Sequence, residues 1–113
     1  MRIKRRDEVP ANEIPGYEGV SKQIVLGPAD GSDEIVLRHF TLEPGAATPR
    51  HTHGFPHLVK IEEGRGLAVD SDGSEISVTA GDYVFVPSDE LHNFRNNGDA
   101  AFEFMCIVPI RGE

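Results

Sequence analysis

Apolar and polar residues alternate along most of this chain in short runs, which its 12 glycines and 8 prolines interrupt. Such alternation is typical of strands, whose successive side chains point to opposite faces of a sheet, and no long stretch shows a helical period. Runs rich in Val, Ile, Phe and Thr predict strands at residues 19–26, 34–42, 58–62, 66–70, 75–79, 83–86, 92–96 and 101–108. Many short, evenly spaced strands predict an all-β sandwich or barrel.

Two dipeptides predict hairpins between these strands. Asp72-Gly73 lies between the runs at 66–70 and 75–79, and Asn97-Gly98 follows the run that ends at Asn96. Both dipeptides favour the tight turns that join antiparallel neighbours. We therefore expect each pair of flanking strands to be hydrogen-bonded to each other.

The last predicted strand separates its side chains into two sets. Phe102, Phe104, Cys106 and Val108 share one parity, and Glu103 has the other. We expect the apolar set to face the barrel interior. For Cys106, a place beside a functional site and a role as a small buried hydrophobe both remain open.

Two further residues could reach the barrel interior. Phe94 lies two residues after His92 and is expected to wall the same pocket. Arg38 has the parity of Phe40 and Leu42, so it lies either in the lumen, where it would bind a carboxylate, or on the outer face. The outer-face placement is the one preferred here, and it leaves an apolar lumen suited to a small, partly apolar ligand.

Composition limits the class of protein. The chain has 113 residues and 38% hydrophobic content, which suits one globular domain spanning residues 1–113. No apolar run is long enough to cross a bilayer, and none follows the basic N-terminus as a secretory signal would require. A net charge of −8 disfavours nucleic-acid partners. A single cysteine cannot form an internal disulfide, which suits a cytoplasmic protein.

Histidine is the residue type that points to chemistry. Three of the five histidines, His51, His53 and His57, lie within seven residues, and His92 follows much later. His-x-His on a strand places two imidazoles on one face, about 6–7 Å apart. Since neutral imidazole binds Mn, Fe, Co, Ni, Cu and Zn, these four residues are predicted to hold one metal ion. The fifth, His39, is expected to be a surface or hydrogen-bonded core residue.

The histidines fall within two longer patterns. Residues 45–64 read Gly45, five residues, His51-Thr52-His53, three residues, His57, six residues and Gly64. Residues 81–96 read Gly81, five residues, Pro87-Ser88-Asp89, two residues, His92, three residues and Asn96. Both patterns resemble the two motifs of the cupin superfamily, which implies a double-stranded β-helix (jelly-roll) barrel. The chain departs from them at His57, where most cupins have glutamate, and at Asp89, where the motif has glycine.

The histidine at position 57 is similar to that of small single-domain (type 2) cupins with a four-histidine metal site. The resemblance implies that His51, His53, His57 and His92 bind one divalent transition-metal ion per chain, with Mn or Fe preferred and Zn, Ni, Cu or Co possible. Neutral imidazoles leave the charge of the ion uncompensated, which should attract an anionic ligand or a deprotonated substrate to its open positions. A tetrahedral zinc site would instead be closed, and His57 could also point away from the ion.

The resemblance implies a metal-dependent oxidoreductase of dioxygenase type acting on a small, partly apolar substrate. Phe94, Phe104 and Cys106 would then shape the substrate pocket. Two alternatives stay open, a non-catalytic binding or sensor cupin and a metal-dependent isomerase or lyase. One scaffold serves many functions, so the sequence does not establish that the protein is an enzyme. Small cupins also pair through an apolar outer sheet face, which predicts a homodimer.

Overall fold

Nine β-strands make up most of the regular structure in a computed structural model that describes residues 1–113. The strands are β1 Asn12–Ile14, β2 Tyr17–Leu26, β3 Ile35–Leu42, β4 His57–Glu63, β5 Arg65–Val69, β6 Glu75–Thr79, β7 Tyr83–Val86, β8 Asn93–Arg95 and β9 Phe102–Pro109. Short 3-10 helices lie at Arg6–Glu8, Pro28–Asp30 and Ile110–Gly112. None of these helical segments has the length and apolar character needed to cross a bilayer.

The strands form two antiparallel sheets. The larger sheet has the order β1-β2-β3-β9-β4-β7, and the smaller has the order β6-β5-β8. A cluster of 15 buried residues takes side chains from both sheets, including Val59 of β4, Val78 of β6 and Phe94 of β8. This arrangement confirms the predicted all-β, double-stranded β-helix (jelly-roll) fold.

Side-chain parity follows the sequence prediction closely in β9. Phe102, Phe104, Cys106 and Val108 are all buried, and the residues between them are more exposed. Most predicted strands lie within a residue or two of the observed ones. The exception is β1, a three-residue strand whose sequence Asn12-Glu13-Ile14 contains no alternating apolar run.

Of the two predicted hairpins, only the first is present. β5 and β6 pair across Asp72-Gly73. The prediction of a hairpin at Asn97-Gly98 is wrong, because β8 pairs with β5 whereas β9 pairs with β3 and β4 in the other sheet. The buried amide of Asn96 shapes this crossing, donating to the carbonyls of Leu42 at 2.9 Å and Ala100 at 2.8 Å.

Candidate functional site

Backbone pairing between two distant segments brings four histidines together. His51 and His92 form an isolated antiparallel bridge in which each N–H donates to the other carbonyl at 3.2 Å. The N–H of Asp89 donates to the carbonyl of His53 at 2.7 Å. His57 begins β4 on its buried face, with Val59. The two sequence motifs therefore meet at one end of the barrel.

These residues, called the histidine cluster below (His51, His53, His57 and His92), place their rings side by side. Ring centroids lie 4.1 Å apart for His51 and His53, 5.0 Å for His53 and His57, and 4.9 Å for His57 and His92. His92 lies 5.7 Å from His51 and 6.0 Å from His53. Imidazoles that share one ion at a metal–nitrogen distance of about 2.1 Å have neighbouring centroids about 4.5–5.5 Å apart. The His53–His57 and His57–His92 spacings fall in this range, whereas the His51–His53 spacing is shorter and the spacings of His92 from His51 and His53 are longer.

Ring spacing alone does not make a ligand set. No group of three or more His, Cys, Asp or Glu side chains stands in an arrangement that could hold a metal ion. A ligand set would therefore require ring rotations in the histidine cluster. Two nitrogens are consistent with such a role. Nδ1 of His92 lies 2.9 Å from the Glu90 carbonyl, so protonation there leaves Nε2 free, and Nδ1 of His57 is buried without a hydrogen-bond partner.

Burial favours the neutral form of three of these imidazoles. Loss of solvation is the main cause that lowers the pKa of His51, of His53 to about 4 and of His57 to about 3. Repulsion from any neighbouring histidine that becomes protonated, and from Arg38, lowers these pKa values further. At neutral pH, the three rings are therefore in the unprotonated form that binds metals.

The histidine cluster forms part of the wall of a cavity of about 140 Å³. Phe94 and Phe104 line it with ring centroids 4.6 Å apart, and Phe40 lies 5.3 Å from Phe104. The structure thus places Phe94, Phe104 and Cys106 in the lining, as the sequence suggested. The sequence reasoning did not identify other residues of the wall, which are Ile14, Lys22, Phe40, Thr48 and Pro49.

Arg38 lies inside the barrel, so the outer-face placement preferred from the sequence is wrong. The residue is only 9% exposed and lines the cavity. Its Nη2 donates to Sγ of Cys106 at 3.2 Å, and its Nη1 donates to Oε2 of Glu113 at 3.3 Å. The expectation of a purely apolar lumen is wrong for the same reason, because Arg38 lines the cavity. Arg38 and Phe40 have the same parity along β3, and this was the sequence signal for a place inside the barrel.

Two other residues considered from the sequence, Cys106 and His39, are both buried. Cys106 is 2% exposed, and burial raises the pKa of its thiol, so it stays protonated. His39 lies outside the cavity, where its Nε2 is 2.8 Å from Oε1 of Glu103 and 3.0 Å from Nη1 of Arg6. It is a hydrogen-bonded core histidine, one of the two placements expected from the sequence.

A family model for the Cupin domain matches residues 38–108. The chain belongs to the cupin family. This cupin is 32% identical over 93 residues to the 1-methylthio-D-xylulose 5-phosphate methylsulfurylase of Rhodospirillum rubrum, and the match covers 81% of this chain but only 57% of that protein. It is also 32% identical over 112 residues to an oxalate-binding protein of Thermotoga maritima, which covers 94% of this chain and 92% of that protein.

Two solved structures are similar to this cupin. The polyketide cyclase RemF from Streptomyces resistomycificus superposes with a TM-score of 0.92 at 28% identity, covering 97% of this chain and 80% of RemF. A predicted oxalate decarboxylase from Thermotoga maritima has a TM-score of 0.83 at 25% identity, covering 96% and 98%. Cupins commonly bind a metal ion, and these relatives have different roles. Family membership therefore establishes the fold and leaves the reaction open.

Proposed function

We propose that this cupin holds one divalent transition-metal ion on His51, His53, His57 and His92 and binds a small, partly apolar molecule in the adjoining lumen. The supporting observation is that these four rings, from two distant segments, lie 4.1–6.0 Å apart on the wall of an aromatic cavity. Mn or Fe is the preferred ion, although imidazole ligands also suit Zn, Ni, Cu and Co.

We infer that the reaction is an oxidoreduction of dioxygenase type. When bound, the ion would supply redox chemistry and open coordination positions. The chain itself would contribute neutral ligands, which leave the charge of the ion free to attract an anionic or deprotonated substrate. Phe40, Phe94 and Phe104 would bind the apolar part of the substrate and exclude water from it. The protonated Cys106 would fill the wall as a small uncharged group.

Metal content tests the ligand set. Protein purified without chelator and reconstituted with Mn²⁺ or Fe²⁺ should carry about one ion per chain, measured by plasma mass spectrometry. His57→Gln should lose most of this metal. His39→Gln is the matched control, since it removes a buried histidine outside the cavity. Equal stoichiometry in both variants would exclude His57 as a ligand, and a wild type without bound metal would refute the site.

Turnover assays distinguish the reaction from its alternatives. Oxygen consumption by the metal-loaded protein with a catechol or a diketone would support the dioxygenase proposal. A non-catalytic binding or sensor role is supported by the relative named as an oxalate-binding protein, and it predicts tight ligand retention, zinc content and no turnover. An isomerase or lyase is supported by the similarity to a polyketide cyclase, and it predicts a product of unchanged oxidation state.

We also propose that two copies of the chain pair through the outer face of the larger sheet. An apolar row crosses five strands in register, through Leu26, Leu37, Ile107, Leu58 and Phe85. Leu58 and Phe85 are 52% and 63% exposed, which is a large apolar surface to leave in water.

Light scattering after size-exclusion chromatography tests this pairing. Leu58→Lys should convert a dimer into a monomer. The control is Ile76→Lys on the smaller sheet, because Ile76 is also 52% exposed. A monomeric wild type, or a dimer that survives Leu58→Lys, would contradict the proposal.

A further inference from the structure

Two cationic side chains line the same cavity as the histidine cluster. Arg38 projects from β3 and Lys22 from β2, and both belong to its lining. The formal net charge is −8, with 11 Lys and Arg against 19 Asp and Glu. Two positive groups beside one small lumen therefore do not follow from the overall charge. They form a local feature, called the cation pair below (Arg38 and Lys22).

The cation pair already binds a carboxylate in this structure. Oε2 of Glu113 accepts from Nη1 of Arg38 at 3.3 Å, and Oε1 of the same group pairs with Nζ of Lys22. The carboxylate is largely buried, with the Glu113 side chain only 13% exposed. The geometry of the pair thus accommodates one carboxylate bound through both oxygens, as in charge-assisted pairing generally.

Arg38 also retains unused binding capacity. Its side chain is 11% exposed, and its Nε is buried without a hydrogen-bond partner. A buried donor without a partner is costly, so an acceptor that reaches this nitrogen would remove the cost. The guanidinium carbon lies 5.0 Å from the centroid of Phe40, so the cation that would bind an anionic group is adjacent to an aromatic surface.

We propose that Arg38 and Lys22 form an anion subsite that binds the carboxylate of a small ligand whose apolar part lies among Phe40, Phe94 and Phe104. Glu113 occupies this subsite in the structure and competes with the ligand for it. The cavity of about 140 Å³ matches one six-membered ring, since an apolar cavity of about 150 Å³ is known to hold benzene. The inference rests on the lumen being the ligand site proposed above, and it does not depend on a metal.

Calorimetric titration of chelator-treated protein with benzoate, and with benzamide as its neutral isostere, tests the subsite. Arg38→Met should weaken benzoate binding roughly tenfold or more, the effect of losing a charge-assisted hydrogen bond. Glu113→Gln should tighten benzoate binding, because it removes the internal competitor. Benzamide should bind the wild type more weakly than benzoate and respond little to either substitution.

Lys60→Met is the matched control, since Lys60 points outward from β4 and pairs with Glu62 at 3.5 Å. It should leave benzoate binding unchanged. Lys22→Met repeats the test on a side chain that is 30% exposed, so the proposal stays testable if Arg38→Met does not fold. Equal affinity in Arg38→Met and wild type, no preference for benzoate over benzamide, or no benzoate binding to wild type and Glu113→Gln would overturn it. Because the protein is metal-free, a failed metal site leaves these results unaffected.

Discussion

Substitution of Gly64 by alanine gives a sharp test of how the first motif shapes the barrel. Gly64 is the single residue between β4 of the larger sheet and β5 of the smaller one, and its φ is +70°. A Cβ built there would lie 2.2 Å from the carbonyl oxygen of Ala101. That neighbour is backbone next to the fully buried Phe102, so it cannot move aside as a flexible side chain would.

The cost has two parts. The left-handed backbone costs an alanine about 1–2 kcal/mol. Forcing an extra carbon into a filled space typically costs a further 1–3 kcal/mol, so Gly64→Ala should lose about 2–5 kcal/mol of unfolding free energy. Gly81 separates the two parts, because its φ is +97° but a Cβ there would meet no atom within 4 Å. Gly81→Ala should therefore lose only the backbone part, about 1–2 kcal/mol.

Urea unfolding of the two variants and the wild type, all treated with chelator, measures both losses under identical conditions. The change in the entropy of the unfolded chain is the same for both substitutions, so it cancels in the comparison. Gly64→Ala should be less stable than Gly81→Ala by at least about 1 kcal/mol. Equal losses would refute the reasoning, since they would mean that the Ala101 backbone yields at no cost.

Three further predictions follow from single groups. Asp89 has a φ of +70° where the motif has glycine, so Asp89→Gly should be more stable than Asp89→Ala by about 1 kcal/mol in thermal unfolding, the reverse of the usual order. Folding lowers the pKa values of His53 and His57 from 6.5 to about 4 and about 3. At mildly acidic pH, these two histidines are therefore protonated in the unfolded chain but not in the folded chain. Metal-free protein should therefore lose stability as the pH falls below about 6.5, and urea unfolding of His57→Gln should show about 1 kcal/mol less of this loss between pH 7.5 and 5.5. Native Cys106, 2% exposed with a raised thiol pKa, should resist iodoacetamide at pH 8 while the unfolded chain reacts, and equal rates by mass spectrometry would contradict its burial.

The parts of the fold that could be predicted from sequence are those with local causes. Alternation in β9 assigns Phe104 and Cys106 to the interior because parity is a property of one strand. Asn97-Gly98 fails as a hairpin signal for a related reason. A dipeptide reports that the chain turns, but the partner of the next strand is set by packing of the whole barrel. Here β9 follows β8 directly along the chain, yet it is hydrogen-bonded between β3 and β4, which lie much earlier in the sequence.

Within the candidate site, the histidine cluster could be predicted from local sequence, whereas the rest of the site could not. Its four residues lie within the two motifs, at fixed spacings along two segments that pair at His51 and His92, so their proximity could be predicted. The carboxylate of Glu113 reaches Arg38 across 75 residues, and no local pattern encodes such a contact.

The two sites proposed for this cupin, the histidine cluster and the anion subsite, draw on different parts of the chain. The cation pair and Glu113 all lie outside residues 45–64 and 81–96, on β2, on β3 and beyond β9. None of these residues takes part in the backbone bridge between His51 and His92. We therefore expect that relatives with both motifs can differ in the charged groups at the positions of Lys22, Arg38 and Glu113, and hence in what they bind. Substitutions at Arg38 should accordingly alter ligand choice while leaving metal content unchanged, whereas substitutions at His57 should alter metal content first.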